Sequence, residues 1–215
     1  QLKIMLAKEI ADSSTDLPVS NHISRTQIGQ SLQNILANKI DEIRQTISLM
    51  DEKQLNQILD YIKSARIVQF VAVGNTIPVA LDGAFKFNEI GIKAIAGTIW
   101  ETQLAFSLSL GRDDVMIAIS NSGESRQVVK MVREAKRNHV VTVGITNNPN
   151  STVGQSVDYH IQTATREKLF LNEICFSRVS AMTVIEVLYL FLTVGQERSY
   201  DRVSKCESLI ADEKL

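Results

Sequence analysis

The chain has 215 residues, of which 44% are hydrophobic and 22% are charged, a composition that excludes a disordered or low-complexity protein. Its 23 basic and 24 acidic side chains leave a formal net charge of −1, so neither a nucleic-acid footprint nor a polybasic membrane patch is predicted. Two cysteines, Cys175 and Cys206, cannot form a disulfide framework and lack metal-site spacing. We therefore expect a reducing cytoplasm and no metal or other cofactor.

The N-terminal part of the chain combines a helical pattern with a polar linker. Apolar residues recur from Leu2 to Ile10 without a capping residue ahead of them, and residues 12–24 are polar and contain Pro18. We interpret this pattern as the end of a preceding domain whose remainder is absent. A processed terminus is the alternative.

A second helical pattern begins at Ile28. Its apolar residues recur at steps of four and three and form one stripe: Ile28, Leu32, Leu36, Ile40, Ile43, Ile47 and Met50. Asp51 and Gln54 then resemble a capping box that begins a second helix. The stripe is longer than one α/β core needs, so we expect a homodimer or homotetramer formed through it. The alternative is a hairpin that hides the stripe against its own sheet. Asn38 is expected on the opposite, solvent-facing side.

From residue 67 onward, strand patterns alternate with helical ones. The predicted strands are residues 67–73, 92–96, 115–119, 140–145 and 159–162. The predicted helices lie near residues 77–90, 100–110, 124–138 and 150–156, and a long apolar helix covers residues 172–194. Apolar strands separated by amphipathic helices indicate a parallel sheet covered on both faces. We therefore predict an α/β fold, a doubly wound five-stranded parallel sheet with an N-terminal helical arm. No segment is long and apolar enough to span a membrane.

The most informative segment is the hydroxyl-rich turn between the third strand and the next helix, which we call the serine loop (residues 120–125). Its sequence is Ser120, Asn121, Ser122, Gly123, Glu124 and Ser125. In an open parallel sheet, ligands bind at the carboxyl ends of strands, where free backbone N–H groups at helix N-termini favour anions. Serine hydroxyls donate to phosphate oxygens, and Gly123 allows close approach of the backbone. The loop thus predicts a phosphate site, although an ordinary helix cap would have the same composition.

A second polar turn follows the first strand. Gly74, Asn75 and Thr76 precede a helix that carries Pro78 in its first turn. The turn is not a dinucleotide fingerprint, because the GxGxxG pattern and its acidic partner are missing. Asn75 and Thr76 suit sugar hydroxyls or a phosphate oxygen, but such residues are also common helix caps.

Together, these turns resemble those of the SIS (sugar isomerase) domain, and the chain from about residue 30 resembles the effector module of RpiR-type transcriptional regulators. The resemblance runs through VAVGNTIPVALDGAFKFNEIG, IAISNSGES, VTVGIT and TREKLFLNEICFSRVSAMTVIEVLYLFL. The start, KIMLAKEI, is similar to the end of the helix-turn-helix domain that precedes the SIS domain in that family. We therefore interpret residues 1–27 as a remnant of that domain with a linker, and residues 28–215 as a SIS domain with an N-terminal helical hairpin.

The resemblance implies that a phosphorylated sugar binds to the serine loop and to the opposite turn, through Ser120, Asn121, Ser122, Ser125, Asn75 and Thr76. The sequence departs from the family pattern at Asn75 and Thr76, where small residues followed by serine are common, and at Ser125, where threonine is usual. Trp100 and Glu101 occupy a segment in which the family often has a histidine motif. Trp100 is interpreted as core or pocket wall, with contact to the ligand as the alternative.

Glu173, near the start of the long helix, has three possible roles. In isomerase members of the superfamily, a glutamate near this helix can act as the proton-abstracting base. Glu173 could instead accept hydrogen bonds from the sugar, or only favour the positive end of the helix dipole.

Two classes of function remain open on this sequence. The first is a sugar phosphate sensor that controls DNA binding by a domain outside these 215 residues. The second is an aldose–ketose isomerase. The helical arm, the remnant-like start and the lack of an evident acid–base pair favour the sensor and predict that the chain is not an enzyme.

Overall fold

The computed structural model describes residues 23–165, 177–194 and 197–211. Its helices are α1 (Ile28–Ser48), α2 (Glu52–Ser64), α3 (Ile77–Glu89), α4 (Trp100–Ser107), α5 (Arg126–Arg137), α6 (Thr152–Ser156), α7 (Val179–Thr193) and α8 (Glu197–Ala211). Its strands are β1 (Val68–Ala72), β2 (Ala94–Ala96), β3 (Val115–Ile119), β4 (Val141–Thr146) and β5 (Tyr159–Gln162). None of the helices in these ranges is both long and apolar enough to cross a membrane.

The five strands form one sheet in the order β2-β1-β3-β4-β5, and every neighbouring pair is parallel. This confirms the predicted doubly wound α/β fold, because the strand order reverses direction after β2. The edge strand β2 begins two residues later than predicted and pairs with only three residues of β1.

The sheet is covered on both faces, as the continuous apolar strands predict. One core cluster joins the sheet to α2, α3 and α7, and the other joins it to α4, α5 and α6. Alternate residues of β1 serve the two clusters, with Phe70 on the first side and Val71 on the second. Phe70 meets Phe87 edge to face at 5.1 Å between ring centroids. Gly83 lets α3 approach the ring of Phe70, since a Cβ atom at residue 83 would lie 2.7 Å from that ring.

The helix α1 packs against α7 with its polar side inward. Its buried residues are Ser31, Asn38, Glu42 and Thr46, whereas its aliphatic stripe is exposed from Ile28 to Ile47. Within the described part of the chain the stripe is not hidden, so the alternative of a hairpin that covers it is not met. One expectation is corrected: Asn38 is buried rather than facing solvent. The reason is that the neighbouring surface is polar, as the hydrogen bonds of Glu42 and Thr46 show.

The second helix of the arm begins as predicted. The side chain of Asp51 accepts a hydrogen bond from the Gln54 amide at 2.7 Å, which caps the first turn of α2. The predicted long helix begins at Val179, with Arg178 as its N-cap residue, and residues 172–176 lie outside the described ranges.

Candidate functional site

The two polar turns lie side by side at the carboxyl edge of the sheet. Ala72 at the end of β1 is in register with Ile119 at the end of β3. The hydroxyl of Thr76 lies 3.0 Å from the carbonyl oxygen of Val73 and 3.2 Å from that of Ile119, so it joins the two strand ends directly. This is the point at which the strand order reverses, where open α/β sheets form a crevice that binds ligands.

The serine loop is held in place by its own backbone. The amide of Ser120 donates to the carbonyl of Ile145 on β4 at 3.1 Å, and the amide of Gly123 donates to the carbonyl of Ser120 at 3.1 Å. Gly123 has φ of 70°, a left-handed conformation that favours glycine, and a Cβ atom there would overlap the hydroxyl of Ser151. The carbonyl of Gly123 accepts from the amide of Val153, which ties the loop to α6.

The loop leaves donors available for an anion. Ser125 is the N-cap residue of α5, but its side chain makes no capping hydrogen bond with that helix. Within the described residues, the amides of Asn121, Ser122 and Ser125 also have no hydrogen-bond partner. Free amides at the positive end of a helix dipole, beside exposed hydroxyls, suit a phosphate group.

The predicted residues of the serine loop differ in exposure. Ser120 is buried, and its Oγ accepts from the amide of Gly123 at 3.2 Å. Asn121 and Ser125 are half-buried, and Ser122 is exposed. The loop therefore brings an amide side chain and two accessible hydroxyls to the same helix N-terminus.

Glu124 braces the loop from outside the crevice. Its carboxylate accepts from the Thr152 hydroxyl at 2.7 Å and from the Thr152 amide at 2.8 Å. These hydrogen bonds hold the pKa of Glu124 below its ordinary value, so the carboxylate is ionised at neutral pH. Because both carboxylate oxygens bond to Thr152 at the start of α6, Glu124 positions the serine loop against that helix.

The opposite turn, Gly74–Thr76, contributes one accessible side chain and one buried one. Asn75 is exposed, whereas Thr76 is buried and directs its hydroxyl towards backbone carbonyls. Gly74 has φ of 63°, and Pro78 lies in the first turn of α3, as expected. Thr76 thus joins the turn to the serine loop, and Asn75 is the residue of this turn that faces outward.

Gln103 on α4 is a supporting residue that the sequence analysis missed. Its side-chain amide accepts from the amide of Ala72 at 3.0 Å and donates to the carbonyl of Ala72 at 2.9 Å and to that of Gly97 at 3.0 Å. The short strand β2 ends before it reaches Ala72, so Gln103 takes the place of a neighbouring strand there. Four of the eight residues of this helix, WETQLAFS, are polar, so the sequence gives no signal that singles out Gln103.

The end of β4 adds further polar groups that the sequence analysis did not name. The amide of Asn147 donates to the carbonyl of Asn121 at 2.9 Å, and its side chain donates to the Thr165 hydroxyl at 3.0 Å. Thr146 Oγ1 lies 2.8 Å from Nε2 of His160, and desolvation lowers the pKa of that histidine. The loop after β4 therefore connects the serine loop to the segment after β5.

The remaining predicted residues lie elsewhere. Glu173 falls outside the described residues. Trp100 is half-buried at the start of α4, with Lys130 Nζ 5.9 Å from its ring centroid, so it contacts α5. Among the described residues, no group of three or more His, Cys, Asp or Glu side chains could hold a metal ion.

The family model of the SIS domain matches residues 61–191. The chain belongs to the SIS domain family. A relative with similar sequence is a helix-turn-helix-type transcriptional regulator of Clostridium perfringens, which is 27% identical over 188 residues. The match covers 87% of this chain and 67% of that regulator. Further relatives of comparable similarity are also helix-turn-helix-type regulators.

Solved structures show the same fold. The Vibrio vulnificus NanR protein complexed with ManNAc-6P superimposes with a TM-score of 0.77 at 19% identity, covering 98% of this SIS-domain chain and 74% of NanR. The sugar isomerase domain of an RpiR transcription factor from Sphaerobacter thermophilus gives 0.76 at 23% identity, covering 83% of this chain and 99% of that one. Other structures with this fold include proposed phosphosugar isomerases.

Proposed function

We propose that this chain is the phosphosugar-binding effector module of a transcriptional regulator of carbohydrate metabolism. The observation that carries the proposal is the N-terminus of α5, which no side chain caps and which directly follows the accessible hydroxyls of Ser122 and Ser125. The helix-turn-helix-type relatives and the sugar phosphate bound to NanR support the same assignment. In this proposal, the ligand changes DNA binding by a domain outside these 215 residues.

The proposed roles of the site residues follow from their positions. The phosphate lies at the N-terminus of α5, where Ser122, Ser125 and the loop amides donate hydrogen bonds to its oxygens. Asn121 and Asn75 contact sugar hydroxyls from the two sides of the crevice. Ser120, Gly123 and Thr76 shape the site, and Glu173 is kept as a proposed sugar contact from beyond the described residues.

A sensor is favoured over an isomerase by the chemistry of the described residues. Moving a proton between two sugar carbons needs a base within hydrogen-bond reach. The carboxylate of the serine loop itself is Glu124, and both of its oxygens accept hydrogen bonds from Thr152. We therefore propose that the chain has no isomerase turnover. Turnover of an aldose or ketose phosphate that disappears in Glu173→Gln would support the isomerase instead.

The test of the sensor is ligand-induced thermal stabilisation. We expect at least one member of a panel to raise the melting temperature: ManNAc-6-phosphate, glucosamine 6-phosphate, fructose 6-phosphate, ribose 5-phosphate and inorganic phosphate. The unphosphorylated sugars serve as controls and should have no effect. A panel without any shift in the wild-type protein would overturn the assignment.

The location of the site is tested by the double variant Ser122→Ala/Ser125→Ala. Each lost charge-assisted hydrogen bond should weaken binding about 10- to 100-fold. Ser64→Ala is a matched control, because that exposed hydroxyl bonds only to backbone carbonyls within α2. Equal affinity in the double variant and the control would remove the serine loop from the site.

The proposal extends to the assembly of the regulator. A protein that reads a two-fold operator needs a symmetric arrangement, so we propose a homodimer or homotetramer. In this proposal the DNA-binding domain stands ahead of the arm; the match to the helix-turn-helix-type relative covers 67% of that relative. Such a regulator is expected in the cytoplasm and needs no membrane contact.

A further inference from the structure

The helix α5 carries a one-sided basic surface that the proposed sugar phosphate site does not use. Its twelve residues include five basic side chains and one acidic side chain, in the sequence RQVVKMVREAKR. Four of the basic residues recur at steps of four, three and four, so they lie along one face of the helix. We call this face the basic stripe, and all four of its residues are exposed: Arg126, Lys130, Arg133 and Arg137.

The basic stripe is unfavourable for the helix by itself. Like charges three or four positions apart on a helix repel each other, and five basic side chains against one acidic side chain leave α5 with a formal charge of +4. By contrast, α2 balances two basic side chains with two acidic ones. The whole chain has a net charge of −1, so positive charge is concentrated on α5. Such a concentration indicates a surface that meets an acidic partner.

An acidic neighbour neutralises one end of the stripe. Arg137 pairs with Glu134 at 2.7 Å. In the part of the chain that the structure describes, neither Arg126 nor Arg133 forms an ion pair or a side-chain hydrogen bond. Two guanidinium groups are therefore available to a partner, and they lie about two helical turns apart.

The basic stripe lines a groove of about 540 Å³ that extends to the start of α6. Val129 and Thr152 contribute to the same groove, together with two acidic residues, Glu124 and Glu134. The carboxylates of both acidic residues are already bonded, since Glu124 accepts from Thr152 and Glu134 pairs with Arg137. The charge that the groove presents to a partner is therefore positive.

The spacing of the charges identifies the kind of partner. From Arg126 to Arg137 the stripe is about 16 Å long, which gives about one charge per 5 Å. Duplex DNA has about one charge per 1.7 Å, roughly three times as dense, and its phosphates would also meet Glu124 and Glu134. A second helix with carboxylates at steps of four, three and four has the same length and the same charge spacing as the stripe. An acidic helix therefore matches the stripe better than a nucleic acid does.

We propose that the basic stripe binds an acidic helix of another protein, in which carboxylates recur at steps of four, three and four. Arg126 and Arg133 each bind a carboxylate through two N–H groups, the geometry that arginine favours. Lys130 adds a third charge between them, and the ring centroid of Trp100 lies 5.9 Å from its Nζ, a contact that does not neutralise this charge. The proposal rests on the surface of α5 alone, so it does not depend on the proposed sugar phosphate function.

The experiment is an amide NMR titration of the isotope-labelled 215-residue chain at low ionic strength, in a buffer without phosphate or sugar phosphate. The probe is an alanine-rich helical peptide with glutamates at steps of four, three and four, and the control peptide has glutamine in their place. The glutamate peptide should shift the amide signals of α5 with a dissociation constant of about 0.1–1 mM, and added salt should weaken its binding. The glutamine peptide should leave these signals unchanged.

The variant Arg126→Glu/Arg133→Glu tests the position of the contact. It removes two attractive charges and adds two repulsive ones, so the glutamate peptide should bind at least about tenfold more weakly. The matched control is Lys53→Glu/Lys63→Glu, which makes the same change in net charge at two exposed lysines of α2. The control should bind the peptide as the wild type does.

Three results would overturn the proposal. Equal shifts with the glutamate and glutamine peptides would remove the role of charge, and equal affinity of the two double variants would place the contact away from the stripe. Tighter binding of a short DNA duplex, abolished in Arg126→Glu/Arg133→Glu, would assign the stripe to nucleic acid instead. If that variant unfolds, Arg133→Ala repeats the test at one exposed position and should weaken peptide binding about two- to fivefold. Unchanged affinity in a folded Arg133→Ala variant would then count against the stripe.

Discussion

The serine loop and α1 both present polar groups to the rest of the molecule, but they are held in different ways. The loop is fixed by backbone hydrogen bonds to the next strand and to α6, which leaves its hydroxyls and several amides for a ligand. The helix is fixed by side chains such as Glu42 and Thr46, which leaves its aliphatic residues outside. In both regions, the groups that hold the element are distinct from the groups left for a partner. The loop presents hydrogen-bond donors, and the helix presents an apolar surface.

The largest effect is expected from Gly123→Ala in the serine loop. The new Cβ would overlap the Ser151 hydroxyl and would occupy a left-handed conformation, so we expect a loss of about 2–4 kcal/mol in the free energy of unfolding. Gly74→Ala separates the two causes. Gly74 has a similar φ but open space around its Cα, so the loss should be only about 1 kcal/mol. Urea unfolding measures both, and equal losses would contradict the steric role of Ser151.

Gln103→Leu tests the support beneath the opposite turn. Leucine has a similar volume but leaves the amide and carbonyl of Ala72 without their partners, at a cost of about 2–3 kcal/mol in total. Both the free energy of unfolding and the affinity for the sugar phosphate should fall, because Ala72 leads directly into the Gly74–Thr76 turn. Gln57→Leu, at an exposed position of α2, should change neither quantity. A stable Gln103→Leu variant with wild-type affinity would contradict the supporting role.

The serine loop and α1 also differ in how far the sequence predicts them. The strands and the serine loop were predictable because their patterns are local: buried β-branched runs end in a hydroxyl-rich turn. The orientation of α1 was not, because a helical stripe specifies a face and leaves open what that face meets. The polar surface that claims the inner side of α1 is formed by residues more than 100 positions away, such as Ala164 and Ser177. Gln103 was missed for the same reason, since its role depends on where β2 ends.

A chain of hydrogen bonds connects the two regions, and Thr46→Val breaks it at α1. Asn121 bonds to Asn147, and Asn147 bonds to Thr165, which follows the Ala164 amide held by Thr46. Valine keeps the shape and removes the acceptor, so we expect a loss of about 1–2 kcal/mol in the free energy of unfolding.

If these hydrogen bonds couple the serine loop to α1, sugar phosphate binding should change the self-association of the wild type. The same ligand should change the self-association of Thr46→Val less. Sedimentation with and without ligand measures this difference. Thr26→Val, at an exposed threonine before α1, is the control. A ligand effect of equal size in wild type and Thr46→Val would separate the two regions functionally.

The smallest effect is expected from pH, through His160 beside Thr146. Desolvation lowers the pKa of His160 below its ordinary value of 6.5, so the unfolded chain binds a proton more readily than the folded one. The contribution of His160 to the free energy of unfolding is therefore complete above pH 6.5. It is lost as the pH falls through the lower pKa of the folded state. At Asp158, burial alone would raise the pKa, but hydrogen bonds from Lys136 and Thr142 outweigh burial and lower the pKa below 3.8. The stability that Asp158 contributes is therefore lost only in stronger acid. Urea unfolding between pH 7.5 and 5 should thus show a decline that His160→Gln reduces, since glutamine keeps a partner for Thr146 without titrating. An unchanged decline in His160→Gln would assign it to other groups.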